Sequence, residues 1–147
     1  MDGANRFHTE QIGHWMRVEH VALVAALAAV ALLHAREVAW ERFATAFLAI
    51  DVVGYVPGAV AFQRSRRETI APIYHHLYNV AHSYLSAGVV VGLWAVAAGG
   101  FEWAMLALPI HLSGDRGFFG NTYRPPSLPF EPVRRAAAAD LDGGAAR

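Results

Sequence analysis

The sequence predicts an all-α protein, a four-helix transmembrane bundle with both termini on the cytoplasmic side. Three observations predict it. Apolar residues fall in four long blocks, arginines fall on one side of those blocks, and carboxylates and imidazoles recur inside them at matching depths. Over 147 residues, the length of one domain, 55% are hydrophobic and only 16% charged, a balance well off that of a small soluble domain.

A helix rises about 1.5 Å per residue, so about twenty apolar residues cross a hydrocarbon core of about 30 Å. Residues 1–17 read as a polar or interfacial leader, in which "HWMRVEH" supplies a tryptophan and a positive charge suited to the membrane surface. The first block is Val18 to Ala35 and the second Phe43 to Phe62. The third, Ile73 to Gly100, starts polar and ends wholly apolar; the fourth runs from Phe101 to about Ser113. The second and third are long enough to stand alone as spans. From Ser83 to Gly100 no polar stripe recurs every three or four residues, which argues against a water-soluble bundle. A cleaved signal peptide ending near "LLHA" is the other alternative, opposed by the long polar leader and weak cleavage site.

Orientation follows from the basic residues. Ten arginines (6, 17, 64, 66, 67, 116, 124, 134, 135 and 147) share one side of a four-span arrangement, and only Arg36 and Arg42 take the other. That excess marks the cytoplasmic face and points to a multi-pass membrane protein with both termini inside. The loop "QRSRRE" (63–68) suits anionic head groups. From Pro125 the prolines and then alanine and glycine predict an extended, finally disordered tail to residue 147, leaving 18–124 as the membrane domain.

Other functions are excluded by composition. The formal net charge is zero, which opposes nucleic-acid binding, and the absence of cysteine removes disulfides and thiolate metal sites. The chain carries no strand-linked phosphate loop, no GxSxG and no HExxH.

Ionisable groups inside spans are costly unless paired or facing a cavity, so each is a candidate for function. Asp51 sits mid-block, with Tyr55 one turn away. The third block opens with His75, His76, Tyr78 and His82; His82 stands about 13 Å along a helix from Ile73, whereas His75 and His76 suit the interface. In the fourth, His111 and Asp115 are four residues apart and share a face if the helix continues, with Arg116 next. Glu19 joins the set from the inner end of the first block, and His20 reads as interfacial. Each has a purely structural counterpart: Asp51 locking the bundle against Arg116 or a histidine, His82 as an interhelical hydrogen bonder, and "SGDRG" as a plain helix end. Counting along antiparallel spans puts Asp51, His82 and His111 near mid-depth and Glu19 and Asp115 toward the cytoplasm. In this arrangement "HLSGDRGFFG" (111–120) forms the floor of an inward-facing cavity.

On "RVEH" (17–20), "AIDVVGY" (49–55), "YNVAHSY" (78–84) and "HLSGDRGFFG" (111–120), the chain resembles a bacterial family of small four-helix integral membrane proteins catalogued only as a domain of unknown function. The likeness spans residues 15 to 124. It implies the fold and the membrane location, and carries no activity. Where the family ends on a glycine, tyrosine and lysine run, this chain has Tyr123 and Arg124.

Three function classes fit. The leading one is a membrane-embedded enzyme acting on a lipid-like or isoprenoid substrate, with Asp51, His82, His111, Asp115, Glu19 and Arg116 as catalytic candidates. In its metal version, His82, His111, Asp51 and Asp115 hold a divalent ion such as zinc, iron or manganese. In its metal-free version a buried carboxylic acid donates the proton. The alternatives are a proton or small-solute transporter subunit, which without duplicated halves would have to be oligomeric, and a structural membrane partner. Expected partners are the bilayer and a hydrophobic small molecule, with no nucleic acid.

Overall fold

The computed structural model describes residues 9–65 and 69–131, and among them every regular element is helical. Helix α1 (Glu10–Leu33) begins at Thr9, whose side-chain oxygen accepts from the Ile12 amide. The expected leader is therefore continuous with the first helix from residue 10 onward; residues 1–8 lie outside the described residues.

After a loop at 34–39, α2 (Trp40–Gly54) and α3 (Val56–Ser65) form one interrupted helix. The interruption precedes Pro57, which has no amide proton for the Val53 carbonyl. Then α4 (Pro72–Ala81) and α5 (Tyr84–Ala98) meet at a 55° bend. The third block was expected as a single span, and it breaks at His82 for local reasons. The His82 amide and its Nδ1 both bond the Tyr78 carbonyl, at 2.8 and 3.0 Å, while Ser83 caps α5 by accepting from the Leu85 amide.

The fourth block forms no helix of spanning length. A 3-10 turn (Trp103–Leu106) leads into α6 (Ala107–Gly114), a π turn follows (Asp115–Phe119), and left-handed Gly120 ends the run. Two helical stretches, Glu10–Leu33 and Trp40–Ser65, are long and apolar enough to cross a membrane, and the bent α4–α5 pair makes a third if it counts as one span.

Helix α6 is the buried centre, packed on α1, α2 and α5. Its Leu108 and Leu112 join Ile50 and Ala87 in the core. At the π turn, a Cβ on Gly117 would stand 2.9 Å from the Val21 amide nitrogen, so only glycine lets the turn lie this close to α1. Leu33, Leu85, Leu93 and Val96 point outward and His75, His82, His111 and Ser113 point inward, the reverse of a water-soluble fold.

The tail expected from Pro125 begins as an ordered strap. Asn79 brackets Arg124 with two backbone hydrogen bonds, at 2.7 and 3.0 Å. Phe130 is buried beneath Tyr55, His75 and Tyr78 and over Gly58, where any side chain would collide with its ring. Residues 132–147 lie outside the described residues.

Candidate metal centre

Each element delivers one polar group to the same point. Asp51 comes from the last turn of α2, His82 from the α4–α5 break, His111 from α6 and Asp115 from the first residue of the π turn. Because α2 packs on both α4 and α6, the three longer elements bring these residues together although up to 64 positions separate them in sequence.

His82 Nε2 lies 3.3 Å from Asp51 Oδ1 and 3.4 Å from Asp115 Oδ2; His111 Nε2 lies 3.7 and 3.8 Å from the same two oxygens. The first of these is a hydrogen bond, longer than the about 2.7–2.9 Å of a strong charge-assisted one, and the other three are longer still. Metal bonds of about 2.0–2.1 Å at tetrahedral angles put neighbouring ligand atoms about 3.3 Å apart, which the two His82 distances match and the two His111 distances exceed by about 0.4–0.5 Å. Ligand atoms from Asp51, His82 and His111 all fall within 4.8 Å of one another, so this trio can hold a metal ion.

The surroundings fit the same chemistry. His82 Nδ1 donates to the Tyr78 carbonyl, which orients the ring so that Nε2 meets Asp51 Oδ1 at hydrogen-bonding distance, 3.3 Å, and is the atom that would bind a metal. The Tyr78 ring stacks on that imidazole at 3.9 Å, and the Phe47 edge meets His111 at 4.7 Å, so both rings are held in place. Neither nitrogen of buried His111 has a hydrogen-bond partner among the described residues, a costly state for a desolvated imidazole. A divalent ion would occupy Nε2 and balance the two carboxylates, removing most of the cost of grouping charge in a low-dielectric interior. Two imidazoles and a carboxylate leave coordination positions open, and Asp51 is 45% exposed, so the cluster is approachable from outside.

Arg116 is not a member of the cluster. Its Nη2 donates to the His82 carbonyl at 3.2 Å, satisfying a backbone oxygen freed by the helix break. Asp51 was weighed as a partner for Arg116; it faces the two histidines instead. Glu19 lies exposed on α1, outside the cluster. His75, expected at the interface, is fully buried, with Nε2 donating to the Leu128 carbonyl at 3.1 Å.

Three supports escaped the sequence reading: Gly54, Asn79 and Phe130. Gly54 touches His82 directly, since a Cβ there would lie 3.0 Å from the ring. Phe130 and Arg124 close over Tyr78, the residue stacked on His82. A lone large aromatic between prolines in "LPFEP" was the available signal for the strap.

Comparison with the models of known protein families, with curated proteins and with solved structures finds no match for this chain. Architecture and site alone set the class: a protein whose described residues are helical, with helices long and apolar enough to cross a membrane and an internal histidine–carboxylate cluster able to hold a metal ion.

Proposed function

We propose that this protein is a multi-pass enzyme of the bacterial inner membrane whose helices enclose one metal ion and act on a lipid-like substrate. The carrying observation is the fourfold N···O geometry of 3.3–3.8 Å around His82, His111, Asp51 and Asp115. Supporting it are the polar interior, the apolar exterior and the distribution of arginines. In this reading the bent α4–α5 pair and the 103–119 segment complete a four-helix bundle with both termini in the cytoplasm. The resemblance to the four-helix membrane family favours the same arrangement.

A bound divalent ion supplies Lewis acidity and a water acidified toward neutrality. The chain's own groups then divide the remaining work. His82 and His111 hold the ion through Nε2. Asp51, the half-exposed carboxylate, is placed to exchange a proton with a molecule arriving from outside. Asp115 is less exposed and balances charge. Zinc, iron and manganese all suit nitrogen and oxygen donors.

Elemental analysis of the detergent-purified full chain tests the reading. About one zinc, iron or manganese ion per chain is expected, lost in His111→Ala and in Asp51→Asn while the helical circular dichroism persists. A folded, metal-free wild-type protein after purification without chelator and after reloading would remove the metal enzyme and leave the metal-free acid–base pair of Asp51 and His82.

A further inference from the structure

Beside the cluster lies a second feature that the metal ligands do not explain. A cavity of about 620 Å³ opens between the first turns of α1, the start of α5 and the loop after the π turn, lined by Met16, Arg17, His20, Tyr84, Arg116 and Tyr123 among others. Its walls are mainly apolar and aromatic, yet two arginines from separate elements line it. Among the described residues neither Arg17 nor Arg116 pairs with a carboxylate, whereas Arg42 and Arg124 both do.

Arg116 is built in. Its guanidinium lies 4.3 Å above the Tyr84 ring and 5.8 Å from that of Tyr123, its Nη2 holds the His82 carbonyl, and its buried Nη1 has no hydrogen-bond partner among the described residues. Arg17 rests directly on Gly120, where any side chain would strike it; the left-handed turn at Gly120 (φ 68°) folds the chain under the guanidinium. A desolvated donor with no acceptor is costly, and two convergent arginines carry the charge and the planar donor forks that a phosphate monoester, at about −1.5 to −2, complements. A carboxylate would match only half of that charge. The apolar remainder of the cavity needs a hydrocarbon.

A narrow cleft lined by His82, Asp115, Arg116 and Thr122 runs alongside, sharing Arg116 and Thr122 with the larger cavity. We infer that the cavity is the substrate site for a phosphorylated amphiphile, its phosphate held between Arg17 and Arg116 and its chain along Met16 and Tyr84, next to the metal cluster. As a substrate assignment this rests on the metal-enzyme reading; as a binding site it stands independently.

Calorimetric titration of the full chain in a neutral maltoside detergent with dodecyl phosphate tests it. Saturable binding of one molecule per chain is expected, weakened about tenfold or more in Arg17→Gln and in Arg116→Gln. Metal content should stay unchanged in Arg17→Gln, whose guanidinium touches no ligand. Inorganic phosphate should bind more weakly than dodecyl phosphate, and equal affinity would overturn the amphiphile in favour of a free anion. Dodecanoate binding as tightly as dodecyl phosphate would overturn the phosphate. Absence of saturable binding, or binding indifferent to both substitutions, would overturn the site. Asp51→Asn separates the two readings: it should lose metal and retain dodecyl phosphate. Wild-type protein that binds the amphiphile without metal sinks the enzyme and leaves the pocket, and a metal-loaded protein that ignores the amphiphile does the reverse.

Discussion

His82 and Asp115 face each other across two irregularities of the backbone, Nε2 3.4 Å from Oδ2, one at the α4–α5 break and the other at the opening of a π turn. Irregular backbone within a membrane is tolerated where it is buried in protein or lines a cavity, and π turns cluster at functional sites. Here both departures from helix aim a polar side chain at the same spot.

Replacing that carboxylate without changing its shape isolates its charge. Asp115→Asn is expected to leave the helical content intact and to weaken metal affinity by about tenfold to a hundredfold, the loss typical even of outer groups around a metal. Competitive titration with a chromophoric chelator reads the change. Undiminished affinity would show that Asp115 only lines the site.

Gly54 tests whether helix spacing sets the ligand geometry. A Cβ there would stand 2.5 Å from the Ala81 Cβ and 3.0 Å from the His82 ring, so α2 and α4 cannot keep their separation with a larger residue. Gly54→Val should cost about 1–3 kcal/mol of stability through overpacking and, on the proposed metal site, should also lower metal affinity, because the displaced ring belongs to the cluster. Thermal unfolding with and without added metal separates the two effects: the variant should gain less from metal than the wild type does. An equal gain in both proteins would contradict the expectation.

The residues that the structure clusters stood out in the sequence because apolar surroundings make them conspicuous. A carboxylate at Asp51 or an imidazole at His82 has few tolerable places in a hydrophobic helix, so its presence alone points inward. Spacing also sufficed for His111 and Asp115, which the structure keeps one turn apart at the α6–π junction. Glu19 lies well inside α1 on its exposed side, apart from the cluster. The break at His82 is a local competition for the Tyr78 carbonyl, decided by one imidazole and one serine cap, and hydropathy averages over both. Composition likewise hid the strap, since four prolines outweighed the single buried ring of Phe130.

Phe130 carries the strap's packing. Only 2% of it is exposed, with Tyr78 at 6.0 Å and His75 at 5.4 Å between ring centres. Truncation to alanine should cost about 3–5 kcal/mol, the range for a buried aromatic, and should free the 125–131 segment for proteolysis while α1 stays resistant. Limited proteolysis in detergent followed by mass spectrometry locates the cuts. Unchanged resistance at 125–131 would mean that the Asn79–Arg124 hydrogen bonds hold the strap by themselves.

The opposite end of the molecule predicts a pH response unrelated to the metal. In the loop between α1 and α2, Glu37 accepts from His34 Nδ1 at 3.1 Å and from Trp103 Nε1 at 3.0 Å, and the His34 and Trp103 rings stack at 3.7 Å. These hydrogen bonds, the one from His34 first, hold the Glu37 carboxyl below the ordinary glutamate range. A depressed folded-state value means that the unfolded chain takes up the proton first. The contribution is therefore complete above the ordinary value of about 4.3 and disappears as pH falls through and below it. Glu37→Gln should flatten the acid limb of the stability profile in that window and leave stability near neutrality little changed, as expected of a solvent-exposed pair. Unfolding midpoints measured between about pH 3 and 7 check this; parallel profiles for wild type and Glu37→Gln would show that the loop cluster adds no ionic stabilisation.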